Sequence, residues 1–298
     1  MRTPSDPTGR TNLFGVLNFL FLSAVAVAFF FPFLLAVGSS FSDELTLIRG
    51  GFRLIPRKFS TYAYRFLFTD SSWILRSYLV TIVVTASGTA LAMVVTSMVA
   101  YTLSRRKVRY RNVISFIIFF TMIFHAGIVP FFVMVRQVYG LKNNLWALIL
   151  PPLMNPIFMY IIRNYFYTIP ESLWDSAMID GSGELRIFAQ IVLPVSIPAI
   201  ASISLFYALF YWNDWWHALL FVEDPNLAPL QYQLFKIVSE AEYQVEAADS
   251  ESLGMGLAFP VETTKLAATV VTIGPIVLLY PYVQKYFIKG ILLGSIKG

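Results

Sequence analysis

The chain has 298 residues, of which 57% are hydrophobic and 13% are charged, and its mean hydropathy is +0.66. This composition excludes a soluble monomer, because so much apolar surface cannot remain in water, and it is typical of polytopic membrane proteins. The absence of cysteine excludes disulfides and thiolate metal sites. The net charge of +5 is ordinary for this class, so the placement of the charges carries more information than their sum.

The apolar runs predict an all-α membrane protein with six spanning helices after a loose tail at residues 1–12. A bilayer core requires about 20 apolar residues per helix. The first run holds 25 residues, which is too long for a secretory signal, so we interpret it as an uncleaved span. Prolines at 151, 152 and 156 predict a kink in the fourth span. The predicted spans are Leu13–Val37, Ser77–Leu103, Asn112–Val135, Asn144–Phe166, Val195–Phe221 and Leu266–Ile288.

The connections between the spans predict the orientation of the chain. Ser104–Arg111 is a short link with five basic residues, which is the pattern of a cytoplasmic loop and places both termini in the cytoplasm. Residues 38–76 and 222–265 are then long outer loops. The first of these also carries six Lys and Arg residues, which opposes the assignment, and we give the density of the short link more weight. Residues 13–298 are predicted to form a single membrane domain.

Several motifs of membrane-bound enzymes are missing from the sequence. It contains no GxxxxGK[ST], HExxH or GxSxG pattern. Its two histidines, His125 and His217, lack the spacing of metal ligands. We therefore predict that this chain is not an enzyme and holds no cofactor or metal, and that any energy for transport comes from an ion gradient or another chain.

Residues 167–194 interrupt the apolar pattern with acidic residues and glycines. Thr168–Glu171 matches a capping box and predicts a helix whose apolar face is formed by Leu173, Trp174, Ala177 and Met178. Gly181 predicts the end of that helix. A second helix is predicted after Gly183, with Leu185, Phe188, Ala189 and Val192 on one face. The acidic polar face favours a protein partner over a lipid surface, where lysine and arginine are preferred.

The same segment resembles the cytoplasmic EAA loop of permeases in binding-protein-dependent ABC importers. The family pattern is EAA, three residues, glycine, nine residues and I-x-L-P. The matching positions are Asp175, Ser176 and Ala177 for EAA, Gly181 for the glycine, and Ile191, Leu193 and Pro194 for the ending. Aspartate for glutamate and serine for the first alanine are departures. Further segments resemble the carbohydrate-importer branch, among them residues 101–105, 212–214 and the C-terminal tail, and residues 124–130 resemble the subgroup for complex saccharides.

The resemblance implies a type I ABC importer permease for an oligo- or polysaccharide, located in the bacterial inner membrane. Its implied partners are a second, unlike permease, two ATPase subunits that bind ATP and Mg, and an extracytoplasmic solute-binding protein; no nucleic acid is implied. The EAA loop would enter an ATPase groove and transmit ATP-driven closure. The expected coupling residues are Trp174, Asp175, Ser176, Ala177, Met178, Asp180, Gly181 and Glu184.

Aromatic and polar residues near the end of the fifth span are candidates for the substrate pathway. Tyr211, Trp212, Asn213 and Asp214 combine ring faces, on which sugars stack, with amide and carboxylate groups. An ionisable residue within a span predicts a functional site. The alternative interpretation is an aromatic belt at the membrane interface, with Asn213 and Asp214 in helix contacts or gating.

Two other classes of transporter are alternatives. A self-contained ion-coupled transporter would need paired ionisable residues in several spans and an inverted repeat, neither of which is clear in the sequence. An ABC permease for a non-sugar solute would share the EAA loop but not the carbohydrate-branch segments.

Overall fold

The computed structural model describes residues 13–68, 71–124, 126–249 and 260–273. Within these ranges the chain is mostly helical and has no β-strand, only one bridge between Ser42 and Phe59. The predicted all-α class is therefore confirmed for the described residues. The helices are α1 (Leu13–Ser40), α2 (Glu44–Gly50), α3 (Tyr62–Phe68), α4 (Ser71–Ser104), α5 (Arg111–Ile123), α6 (Ile128–Val133), α7 (Trp146–Ile149), α8 (Pro156–Phe166), α9 (Glu171–Ile179), α10 (Glu184–Ile187), α11 (Leu193–Val195), α12 (Ile197–Trp212), α13 (Trp216–Phe221), α14 (Leu230–Asp249) and α15 (residues 261–273).

The chain divides into two compact units. The described part of the first unit comprises residues 13–68, 238–249 and 260–273. Within it, the Glu44 carboxylate accepts hydrogen bonds from the backbone N–H groups of Glu262 and Thr263, both at 2.8 Å, at the start of α15. The described part of the second unit comprises residues 71–124 and 126–237. The single membrane domain predicted from the sequence stays a prediction.

Two of the described helices are long and apolar enough to cross a membrane alone: α1, over Phe14–Ser40, and α4, over Trp73–Ser104. Two further segments are long and apolar enough only if two helices that meet at a bend are counted together. One joins α5 to the helical segment Ile128–Val138, which begins with α6, and the other joins Glu184–Val195 to α12 at an angle of 85°. The described residues thus supply between two and four spans. The predicted count of six is not confirmed, and the sixth predicted span lies largely outside the described residues.

The fourth predicted span is wrong as one continuous helix. Its residues form α7 and α8 with a turn between them, because Pro151 and Pro152 cannot donate hydrogen bonds to a preceding helical turn. Pro156 instead opens α8, where its missing N–H has no cost, and the Asn155 side chain accepts from Ile157 N at 2.9 Å. The fifth predicted span, Val195–Phe221, is also divided, since α12 ends at Trp212 and α13 begins at Trp216.

The core of the second unit forms where α4 packs against α12 and α8. Two tyrosines of α12 are almost completely buried there. The hydroxyl of Tyr207 lies 2.7 Å from Thr96 Oγ1 of α4 and accepts from Asn155 N at 2.9 Å. The hydroxyl of Tyr211 donates to Ile149 O at 3.0 Å, and its ring fills the space beside Gly88 of α4. A β-carbon at Gly88 would lie 2.7 Å from that ring, so the close approach of α4 and α12 requires glycine.

We expect Gly88→Ala to destabilise the protein and Gly15→Ala to leave it unchanged or slightly more stable. Alanine has a higher helix propensity than glycine by about 1 kcal/mol, and a β-carbon at Gly15 of α1 would have nothing within 4 Å. At Gly88 the clash with the Tyr211 ring should outweigh this gain. The check is the melting temperature of each variant in detergent. A melting temperature for Gly88→Ala equal to that of Gly15→Ala would contradict the packing argument.

Candidate functional site

The first half of the interruption folds as the predicted helix, α9. Trp174 and Ala177 are buried and Met178 is half-buried, as the pattern indicated, but Leu173 is 43% exposed. The predicted capping box does not form. No side chain in the described part of the chain caps α9, and the hydroxyl of Thr168 donates instead to Tyr165 O at 2.7 Å, at the end of α8.

Gly181 ends α9 in a left-handed turn with φ of 78°. Its N–H donates to Met178 O at 3.0 Å, and Ser182 N donates to Ala177 O at 2.9 Å. This pair of bonds is a Schellman motif, which satisfies the last carbonyls of the helix. A β-carbon at Gly181 would have nothing within 4 Å, so the backbone conformation alone requires glycine here. We call α9, the Gly181 turn and α10 the coupling elbow, with the name referring to the predicted role.

The second half of the interruption differs from the prediction. After α10 the chain forms a π-helical turn over Phe188–Val192. The buried residues are Ile187, Phe188 and Val192, whereas Leu185 is 70% exposed and Ala189 is also exposed. The predicted face was therefore wrong at two of its four positions. A π-helical turn takes one residue more than an α-helical turn, so the 3.6-residue period does not hold through it.

The last turn of α4 holds both halves of the coupling elbow. The Tyr101 hydroxyl donates to Glu184 Oε2, and Arg105 Nη2 donates to Glu184 Oε1 at 3.1 Å. The Arg105 guanidinium lies 4.4 Å over the Trp174 ring, and the Tyr101 ring stacks on Trp174 at 5.5 Å and packs against Phe188 at 5.1 Å. One turn of α4 thereby contacts both α9 and α10.

The carboxylate of Glu184 is stabilised in its ionised form by these contacts. Burial acts to raise its pKa, but hydrogen bonds from Tyr101 and Arg105, together with the charges of Arg105 and Lys107, hold the pKa of Glu184 below its usual value. The contribution to stability is therefore present at neutral pH and is lost only as the pH falls through that lowered pKa. The prediction that Glu184 is a partner contact stays a prediction, since its carboxylate bonds to Tyr101 and Arg105 while 58% of its side chain is exposed.

Two further ion pairs join the basic link to α9. Arg106 Nε lies 3.1 Å from Glu171 Oε1, and Lys107 Nζ lies 4.0 Å from Asp175 Oδ1. All four side chains are more than 60% exposed, so each pair contributes at most about 1 kcal/mol. Sequence reasoning did not identify Tyr101 and Arg105 as site residues, although they stand in one of the segments that resemble the carbohydrate branch.

The outer surface of the coupling elbow is apolar as well as acidic. Ile179 is 86% exposed, and Leu173 and Leu185, six residues before and after it, are also exposed. The predicted coupling residues Asp175, Ser176, Asp180 and Gly181 are exposed too. Several large apolar side chains exposed on a short polar loop indicate a contact surface for a partner. We call Leu173, Ile179 and Leu185 the elbow surface.

The predicted pathway residues are divided between the core and the surface. Tyr211 and Trp212 are buried against α4, where the Trp212 ring lies 6.5 Å from that of Tyr78. Asn213 is exposed, and its side-chain oxygen accepts from Gln231 Nε2 at 3.1 Å. Asp214 lies in the break between α12 and α13.

The Asp214 side chain makes a local pair that sequence reasoning missed. Its Oδ2 lies 2.7 Å from His217 Nδ1, its Oδ1 accepts from His217 N at 3.2 Å, and both side chains are largely buried. The three-residue spacing across a helix start is the signal that would have predicted this pair. His125 lies outside the described residues. Across the part of the chain that the structure describes, no group of three His, Asp or Glu side chains could hold a metal ion.

Comparisons with known proteins agree with this geometry. Residues 88–292 match the family described as "Binding-protein-dependent transport system inner membrane component". The chain is 42% identical, over 97% of its length and all of the relative's, to the polygalacturonan/rhamnogalacturonan transport system permease protein YtcP of Bacillus subtilis. It is 39% identical to Protein LplC of the same organism, with 98% of this chain and 97% of that protein covered.

A solved structure is also similar. The chain aligns with a chain in the crystal structure of a bacterial ABC transporter involved in the import of the acidic polysaccharide alginate, with a TM-score of 0.77 and 30% identity. The alignment covers 96% of this chain and 99% of that one. The EAA-like spacing, the coupling elbow and these matches lead to one conclusion: the chain belongs to the family of inner-membrane permease components of binding-protein-dependent ABC transport systems.

Proposed function

We propose that this chain is the membrane-spanning permease subunit of an ATP-driven importer of oligo- or polysaccharides. The observation that carries the proposal is the coupling elbow. It exposes the apolar elbow surface while its inner side is fixed to α4 by Trp174 and Glu184. Such a segment can bind a groove on another protein without refolding, which avoids the entropic cost of ordering a flexible loop.

The proposed mechanism uses the elbow as a rigid connection. Two ATPase subunits bind ATP and Mg in the cytoplasm, and each holds the elbow of one permease in a groove. Closure of the ATPase pair displaces the elbow, and α4 moves with it. Because α4 packs against α12 through Gly88 and Tyr211, the displacement reaches the helix that carries the candidate pathway residues. A second, unlike permease and an extracytoplasmic solute-binding protein complete the assembly in the bacterial inner membrane, with both termini of this chain in the cytoplasm.

The proposal of a saccharide substrate is supported by the similar proteins and by charge. The printed name of one relative refers to polygalacturonan and rhamnogalacturonan, and the similar structure concerns alginate, an acidic polysaccharide. In the first unit, Arg49, Arg57 and Lys58 have exposed side chains in the predicted outer loop 38–76. A positive surface there would serve to dock the solute-binding protein, the role we favour, and would also attract an acidic saccharide. The saccharide substrate can be tested by screening neutral and acidic oligosaccharides for stimulation of ATP hydrolysis by the purified assembly.

The elbow surface is proposed to bind the ATPase. We expect the tagged chain, purified in mild detergent from its native membrane, to bring with it an ATPase and a second permease, as identified by mass spectrometry. Ile179→Asn should reduce the recovered ATPase at least about tenfold, because it places an amide where the apolar contact is proposed. Ile48→Asn is the control, since Ile48 is 56% exposed on α2 in the predicted outer loop. Recovery of the wild-type chain without any ATPase would favour an ion-coupled transporter instead.

The Gly181 turn is proposed to fix α9 relative to α10. We expect Gly181→Leu to lower saccharide uptake about tenfold or more, because a side chain at positive φ costs roughly 1–2 kcal/mol and displaces α9 from α10. Gly181→Asn should retain more uptake, since asparagine tolerates the left-handed region. Gly183→Ser is the control, because Gly183 has φ of −73° and open space beside it. Normal uptake by Gly181→Leu, with the chain present in the membrane, would remove the coupling role from this turn.

Two variants distinguish a pathway role of Asp214 from a local structural role. We expect Asp214→Ala to change the KM of uptake or the preference among saccharides. His217→Gln should change neither, because glutamine can still donate a hydrogen bond to Asp214 while the carboxylate stays in place. If Asp214→Ala leaves uptake kinetics unchanged, or if both variants alter uptake equally, the pair serves only to hold the start of α13.

A further inference from the structure

We propose that Tyr101 and Arg105 are positioning residues that couple the elbow to α4 and thereby set the amount of saccharide imported per ATP hydrolysed. The inference rests on the proposed function and adds to it two residues outside the EAA-like segment. It assigns Glu184 to the inner side of the elbow as their common acceptor. We call Tyr101, Arg105, Trp174 and Glu184 the elbow latch.

The elbow latch contacts both sides of the Gly181 turn. Trp174 belongs to α9 and Glu184 opens α10. The Arg105 guanidinium reaches both, with its centre 4.4 Å over the Trp174 ring and Nη2 3.1 Å from the Glu184 carboxylate. Tyr101 reaches both as well, through ring stacking on Trp174 and its hydroxyl on Glu184. Tyr101 in the last turn of α4 and Arg105 immediately after α4 each contact both sides of the elbow, so that α9 and α10 cannot shift apart without losing contacts to both.

Burial distinguishes the elbow latch from the neighbouring ion pairs. The Arg105 side chain is 11% exposed and that of its partner Glu184 is 58% exposed, whereas both side chains in each neighbouring pair are more than 60% exposed. A charged hydrogen bond with one partner shielded from water is less screened by salt than a pair exposed on both sides. A displacement of the elbow by a partner would break the exposed pairs easily, while the elbow latch would keep the elbow attached to α4.

One nitrogen of the Arg105 guanidinium makes no hydrogen bond within the described ranges. Its Nε is buried and, among the described residues, has no hydrogen-bond partner. An unsatisfied buried donor lowers stability, so hydrogen bonding at Nε does not account for the position of this guanidinium. The stacking on Trp174 fixes the guanidinium in this position, which aims Nη2 at Glu184.

A buried hydrogen bond also joins α4 to α12. Five residues before Tyr101, the hydroxyl of Thr96 bonds to that of Tyr207 on α12 at 2.7 Å, and both side chains are almost completely buried. A displacement of the last turn of α4 is therefore passed to α12 through a buried contact. The elbow latch is the point where this path meets the elbow.

The experiment uses the complete assembly in liposomes, with ATP hydrolysis and saccharide uptake measured on the same vesicles. Tyr101→Phe removes only the hydroxyl, and Arg105→Lys keeps the charge but loses the planar group that stacks on Trp174. We expect both to lower uptake per ATP hydrolysed by about threefold or more, as the loss of one hydrogen bond implies, while ATP hydrolysis continues. Arg106→Lys is the matched control, because it changes the adjacent arginine in an exposed pair.

Three results would overturn the inference, and they differ from one another. A wild-type ratio of uptake to hydrolysis in Tyr101→Phe and Arg105→Lys, with normal recovery of the ATPase, would overturn the elbow latch and leave the proposed function intact. A lower melting temperature and yield with an unchanged ratio would make these residues merely structural. A wild-type preparation that contains no ATPase would overturn the proposed function itself.

Discussion

The requirement that backbone polar groups find partners without water governs this structure. In a membrane every unpaired N–H or C=O is costly, so a chain can leave the helical conformation only where side chains supply the missing bonds. Tyrosine hydroxyls do this at the breaks in the second unit. Tyr207 accepts from Asn155 N before α8, and Tyr211 donates to Ile149 O at the end of α7. The proline-rich turn between α7 and α8 is thus held from α12.

The same requirement explains why α4 is central. Its last turn has carbonyls that no longer find helical partners, and Leu103 O accepts from both Arg163 Nε and the Tyr167 hydroxyl at 3.2 Å. These bonds attach α8 to the end of α4 immediately before the elbow begins. The elbow therefore starts from a fixed point, and Gly181 supplies its turn through backbone conformation alone.

Sequence reasoning succeeded where one physical effect dominates. The apolar lengths of α1 and α4 predicted those helices, and glycine at positive φ predicted the end of α9. It failed where two local effects compete. Pro151 and Pro152 were interpreted as a kink but divide the span, and Thr168 satisfies the preceding helix instead of capping the next one. The positions of the Glu184 and Leu185 side chains depend on the π-helical turn after α10 and on contacts with the end of α4. The residue pattern of 183–194 alone does not predict either of these.

In the proposed coupling role, one acidic residue of the elbow contacts the partner and another attaches the elbow to α4. The departure of position 175 from the EAA pattern fits this division. Aspartate at 175 has a shorter side chain than the glutamate of the pattern, and it lies at 4.0 Å from Lys107, the limit of an ion pair. Exposed on both sides, this pair gives little stability to the isolated chain. Asp175 can therefore exchange Lys107 for a partner's cation at small cost, whereas Glu184 would lose hydrogen bonds from both Arg105 and Tyr101 if its carboxylate moved away. Under the proposed coupling role, the acid at the EAA position is the one available to a partner, and the acid after the turn is the one that attaches the elbow to α4.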